Sequence, residues 1–153
     1  MIELRSSKMK IVEVIQEEHR SIKMILKTLK KEMVSLVVDQ RVDKVVWSMS
    51  LAFIKESIID YHHLKEREYF KAHKWVSAYD NYAKILYMIT EYHEMIEIQY
   101  HKLLECWSLY QSGQTIARFK VMEQGEKLIH LLTSSMQLEE TLFNLTRHEC
   151  IVK

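Results

Sequence analysis

Proline is absent from this chain, and glycine occurs only at Gly113 and Gly125. Sheet proteins reverse direction through tight turns, and tight turns lean on these two residue types for the backbone angles they need. A chain of 153 residues that nearly lacks both is expected to reverse direction only a few times. Long helices with short connections meet that limit, so the expected class is all-α. The length suits one domain, residues 1–153, with a core of its own.

Charge and composition exclude several classes of function. The formal net charge is +1, which leaves no electrostatic footprint for a nucleic-acid partner. No stretch approaches the roughly 18 uninterrupted apolar residues that a membrane span needs, so no membrane partner is expected. Met1 to Lys10 carries charges and no apolar run; no signal peptide is expected, and the location expected is cytoplasmic. Cys106 and Cys150 stand apart from any ligand cluster and are expected to be reduced thiols. No nucleophile–base arrangement and no glycine-rich phosphate loop points to a hydrolase or a nucleotide enzyme.

Four segments carry apolar residues at three- and four-residue steps, the period of an amphipathic helix. The first runs from about Lys10 to Val38, with Ile15, Ile22, Leu26, Leu29 and Met33 on one face. Asp39 and Gln40 break it, and Asp43 is placed to cap the next helix. The second runs from about Lys44 to Lys74, with Met49, Ala52, Phe53, Ile59 and Phe70 assigned to its inner face. A turn is expected at Ser77 to Asn81. The third runs from about Tyr82 to Tyr110, with Leu86, Ile89, Ile96, Tyr100, Leu103 and Trp107, and Gln111 to Gln114 forms the clearest turn. The fourth runs from about Thr115 to His148, with Met122, Ile129, Leu132, Met136 and Phe143. Four such helices read as an up-down-up-down antiparallel four-helix bundle.

Polar residues interrupt every one of these stripes. His19, His62, Glu66, His93 and Glu139 lie where apolar residues are expected. Buried charge is costly unless it is paired or coordinates a metal. Singly, each has an ordinary reading as a hydrogen-bonded core residue or a misphased surface group. His62 and Glu66 are more telling, because residues four apart on a helix project the same way and form the paired ligands of bundle metal sites. Counted from the segment starts, His19 lies about 9 residues in, His62 and Glu66 roughly 18–22, His93 about 11 and Glu139 about 24. At 1.5 Å per residue, helices of alternating direction bring these to one level.

The same residues resemble the motifs of the hemerythrin-like (HHE cation-binding) family. Residues 17–22, Glu-Glu-His-Arg-Ser-Ile, resemble its first-helix motif, and Phe53 to Phe70 resembles its second helix. Glu91 to Glu94 resembles the third-helix motif, and Leu131 to Phe143 the fourth. The resemblance implies a non-haem di-iron site. It assigns His19, the pair His62 and Glu66, His93, and Glu139 as iron ligands, with both carboxylates bridging. Two positions depart from the pattern. Ser135 stands where helix four usually has a histidine, and Glu97 stands where oxygen carriers have a second helix-three histidine. In that reading one iron is held by His19, His62 and the two carboxylates. The other is held by His93, the bridges and Glu97. Extra oxygen ligation suits harder ions, so one iron or manganese is an alternative occupant. His63 is expected beside the site or at the boundary, His101 at the boundary with an extension of the site as its alternative, and His73, His130 and His148 at the surface. Tyr61, Tyr92 and Tyr100 are hydrogen-bond donors near the metals or bundle aromatics.

The function implied is handling of a small molecule such as O2 or NO, or sensing, storing or donating iron. The alternative, motivated by Ser135, is a bundle without a complete metal site that serves as an interaction or structural protein.

Overall fold

The computed structural model describes residues 2–72 and 80–151, and every regular element among them is a helix, with no strand. Helix α1 spans Ile2–Val38, α2 spans Lys44–Ala52, a π-helical stretch spans Phe53–His62, α3 spans His63–Ala72, α4 spans Asp80–Gln111 and α5 spans Ala117–Ile151. α2, the π-helical stretch and α3 follow one another without a break and form one rod. The described residues therefore make four packed rods. The first begins earlier than the periodicity indicates, at Ile2 instead of Lys10. The expected end of the second segment at Lys74 lies outside the described residues. The expected turn at 77–81 does too, except that Asp80 and Asn81 already belong to α4.

Local chemistry sets the rod ends. The Asp43 carboxylate accepts hydrogen bonds from the Val45 and Val46 amides at 3.1 Å and caps α2 as expected. α4 ends on Gly113, whose φ of 102° lies in the left-handed region. Its amide donates to the Tyr110 carbonyl at 3.1 Å, and the next amide, of Gln114, donates to the Leu109 carbonyl at 3.2 Å. That pair of bonds closes a helix on a left-handed residue, a position that suits glycine.

The second rod departs from α-helical phase. Ser50, Ile54, Ile58, His62, Glu66 and Phe70 are all buried, at successive steps of four. In a regular α-helix each such step drifts by about 40°, so five of them would wander roughly 200° around the rod. The wider turns of the π-helical stretch cancel much of that drift. This corrects the assigned inner face. Met49 is 68% exposed, Ala52 is exposed and Phe53 is half-buried, while Trp47, Leu51 and Ile54 face the core.

The core has two apolar layers. The larger gathers Ile22 to Leu36 of α1, Trp47 to Ile59 of the second rod, Ile96 to Trp107 of α4 and Val121 to Met136 of α5. Trp47 stacks on Trp107 within it, ring centres 4.4 Å apart and planes 13° from parallel. The smaller gathers Val12, Ile15, Tyr69, Phe70, Tyr82, Ile89, Leu142 and Phe143. On every rod the sequence passes from one layer to the other through a buried polar residue: Ile15–His19–Ile22, Ile59–His62–Glu66–Tyr69, Ile89–His93–Ile96 and Met136–Glu139–Leu142. A polar layer thus crosses the bundle between two apolar ones.

α1 approaches α5 closely where Met33 meets Gly125. A methyl group at Gly125 would lie 2.0 Å from the Met33 sulfur. Gly125→Ala should therefore cost about 1–3 kcal/mol through overpacking. In a Met33→Ala background the same change should become neutral or stabilising, because alanine is the better helix former. Urea unfolding of the four chains of this cycle measures the difference.

Candidate metal centre

The polar layer is assembled from all four rods. α1 supplies His19, the π-helical stretch ends on His62, and α3 opens with His63 and carries Glu66. α4 supplies His93, and α5 supplies Ser135 and Glu139. All of these side chains are buried, Glu66 completely. The expected ligands His19, His62, Glu66, His93 and Glu139 are therefore brought together.

The two carboxylates lie between the rings. Glu66 Oε1 is 3.0 Å from His62 Nε2 and 3.7 Å from His93 Nε2, and its Oε2 is 3.5 Å from His19 Nε2. Glu139 Oε1 is 3.1 Å from His19 Nε2 and 3.9 Å from His62 Nε2, and its Oε2 is 3.6 Å from His93 Nε2. Ser135 Oγ donates to Glu139 Oε2 at 2.5 Å. Two groups of ligand atoms result, each with its atoms within 4.8 Å of one another: His19, His62, Glu66 and Glu139, and His63, Glu66 and His93. Metal–ligand bonds near 2.0–2.2 Å place neighbouring donor atoms roughly 3.0–3.5 Å apart; the His62–Glu66, His19–Glu139 and His19–Glu66 spacings fall in that range, and the other three lie a few tenths of an ångström beyond it.

Hydrogen-bond accounting points the same way. Both oxygens of Glu66, Nε2 of His62 and both ring nitrogens of His93 are buried without a hydrogen-bond partner. An unsatisfied buried polar atom costs about 1–3 kcal/mol, and native interiors contain few. A cation at the centre of these donors would satisfy the Glu66 oxygens and two of the nitrogens together. The residues present fit a metal ion.

The far sides of two rings are held by carboxylates that the inner-face pattern does not reveal. His62 Nδ1 donates to Glu18 Oε2 at 2.7 Å, and His19 Nδ1 donates to Glu140 Oε1 at 2.9 Å. Such contacts fix the tautomer that leaves Nε2 facing inward. Lys65 bonds Glu18 from outside and lies over the Tyr61 ring, while Gln16 donates to Glu140 at 2.9 Å. The signal was adjacency: Glu18 precedes His19 and Glu140 follows Glu139, each on the edge of an inner face.

His63 is also more than a boundary residue. It is buried, and its ring stacks on that of His93 at 3.8 Å and 11°. It lies at the junction where the rod returns from π to α geometry, and a straight α-helix turns such a neighbour about 100° away from His62.

Other expectations are corrected. Glu97 is exposed and is not brought to the cluster; its charge acts on Lys55 instead. The buried stripe after His93 runs through Ile96, Gln99 and Tyr100, which leaves Glu97 outside. His101 is exposed and packs edge-on against Tyr100. His130 is exposed as expected. Tyr61 is exposed, Tyr92 packs on the larger apolar layer and Tyr100 is buried within it. His73 lies outside the described residues, as does the side chain of His148.

Charge is unevenly shared. Burial drives the Glu66 carboxyl well above the usual range, and the Glu139 charge adds to the rise. Burial also opposes charge on Glu139, but short polar contacts with Glu66 and with His19, His62 and His93 hold it well below. The two carboxyls are thus driven in opposite directions. Burial opposes charge on His19 as well, yet the contacts with Glu139 and Glu66 outweigh it and raise the ring to about 9. Burial pushes His63 well below its usual value, and the neighbouring His93 adds to this, so His63 is a neutral imidazole. Glu18 is lowered: burial opposes its charge, but the hydrogen bonds from Lys65 and His62 prevail.

Comparison with known proteins finds no matching family model, and no curated protein or solved structure matches the chain.

The His19 shift sets a pH window. Its folded value lies above 6.5, so the stabilisation is complete below about 6.5 and is lost as pH rises through about 9. Glu66 acts in the same direction. Protein stripped by chelator should lose stability across this window, by an amount bounded at roughly 3 kcal/mol for His19, and its melting temperature should fall. Metal ligands must be deprotonated, so a loaded site should instead tighten as pH rises. Thermal melts of stripped and loaded protein at pH 6.5 and 9 test both signs.

Proposed function

We propose that this chain is a hemerythrin-like non-haem iron protein that holds a di-iron centre in its polar layer and handles O2 or NO, or senses, stores or donates iron. The observation that carries the reading is the sharing of Glu66 between two groups of buried ligand atoms. A carboxylate with one oxygen toward each of two positions is how bundle proteins hold a metal pair. Glu139 has that disposition, with Oε1 toward His19 and Oε2 toward His93, while Glu66 turns Oε1 toward both His62 and His93 and Oε2 toward His19. His19 and His62 with both carboxylates would hold one iron, and His93 with the carboxylates the other. Mixed imidazole and carboxylate ligation suits iron and also admits manganese.

The up-down-up-down arrangement belongs to this reading. His19 lies beside Glu139 and Met33 beside Gly125, so contacts move forward along α1 as they move back along α5. That is the pattern of antiparallel neighbours. No helix among the described residues is long and apolar enough to cross a membrane.

Bound iron would supply electron exchange and open coordination positions for a diatomic ligand. The chain's own residues do the rest. Glu18 and Glu140 orient the His62 and His19 rings, Ser135 orients Glu139, and the apolar layers on either side exclude water. An interaction bundle without a metal is the competing reading, and the unpartnered atoms of Glu66 and His93 weigh against it.

Anaerobic loading with iron, followed by metal analysis and visible spectra with and without O2 and NO, tests the proposal. Chelation-resistant iron and a spectrum that responds to O2 or NO are expected; a loaded preparation that retains no metal would overturn it. Glu66→Ala should abolish iron retention, because that carboxylate belongs to both groups. Glu18→Gln keeps the shape but weakens the hold on His62, and should lower affinity about 10–100-fold, measured by chelator competition.

A further inference from the structure

We infer that His63 is a ligand of the second metal position, taking the role that Ser135 does not fill, and that the resulting two positions are unequal in strength. The inference rests on the reading of the cluster as a metal centre and goes beyond it in assigning an unexpected ligand and an order of loading.

Position supports the assignment. His63 offers a ring nitrogen within the same 4.8 Å group as Glu66 and His93. Its ring lies flat against that of His93; the in-plane lone pairs of stacked rings run parallel, so loading requires the His63 ring to turn out of the stack toward the ion. Both nitrogens of His93 are buried and unpartnered. Ser135 contacts the same Glu139 oxygen that lies 3.6 Å from His93 Nε2, so the serine borders this position but spends its hydroxyl proton on the carboxylate. The second position then has two imidazoles from α3 and α4 together with Glu66, and a Glu139 oxygen borders it 3.6 Å from His93 Nε2. Both positions thus combine two nitrogens with carboxylate oxygen. Both positions therefore select a divalent ion of the iron, cobalt or zinc kind over magnesium or calcium, which prefer all-oxygen sites.

Backing distinguishes them. In the first position both histidines donate Nδ1–H to a carboxylate, His62 to Glu18 and His19 to Glu140. Carboxylate backing raises ligand basicity, and its loss typically costs 10–100-fold in metal affinity. His93 has no hydrogen-bond partner on either nitrogen, and His63 stacks on His93 and makes a tilted contact with His62, with no carboxylate ion-paired to its ring among the described residues. The first position fills first and holds its ion; the second fills later and exchanges.

Anaerobic titration of the chelator-stripped chain with Fe(II), read by calorimetry and by metal analysis after gel filtration, tests this. The unaltered chain should take two ions in two steps separated by about 10–100-fold. His63→Phe keeps a flat ring against His93 and removes the ligand nitrogen; it should take one ion, with the tight step retained. His63→Ala gives the same readout if the larger ring disturbs folding, which circular dichroism reports. Two ions in the His63 variants with both steps intact would overturn the inference. A single ion in the unaltered chain would overturn it too, while leaving the metal centre standing. No ion in the unaltered chain would overturn both.

Discussion

The constraint on which this structure depends is a layer of charge that has no access to water. Two carboxylates and four imidazoles lie buried across the middle of a helical bundle. Desolvating such groups costs several kcal/mol each, and apolar residues of similar volume would remove the cost. The two apolar layers on either side are what make this tolerable. Each closes the bundle by itself, so the polar layer need not hold the rods together. The rods meet at fixed spacing because Trp47 stacks on Trp107 at one level and Phe70 on Phe143 at another. The side chains between are held at distances that their own repulsions would not choose.

Most of the fold was legible because its signals are local. The scarcity of turn formers announced long helices, and the stripes of α1, α4 and α5 fell where the period put them. His19, His93 and Glu139 were readable as polar breaks in otherwise apolar stripes. His62 and Glu66 were readable as a four-residue pair. What escaped depended on geometry that no fixed period contains. On the second rod burial repeats at steps of four through the wide-turned stretch, and that leaves Met49 and Ala52 outside. Glu97 was assigned as a ligand from its place in a family pattern, and a residue four beyond His93 falls outside the stripe once α4 follows Ile96 and Tyr100.

The carboxylates behind the rings were missed for a different reason. Glu18 and Glu140 are partly exposed and belong to no apolar stripe. Only the packed structure shows that an edge residue of one rod reaches a ring on another, as Glu18 of α1 does to His62 and Glu140 of α5 to His19. These cross-rod contacts tie the inner rings to the rim. Lys65 extends one of them to the surface through Glu18.

The wide-turned stretch has a consequence for how such a chain can change. It lies between the Trp47 anchor and the His62 ligand, so the phase of the anchor and the phase of the ligands are set separately. A residue gained or lost between Phe53 and His62 can be taken up as a change in turn width. The rod therefore carries an internal slip joint: length can be adjusted there without rotating His62 and Glu66 out of the layer or Trp47 off its partner. A uniform α-helix offers no such freedom, since each added residue would turn one end by about 100° against the other.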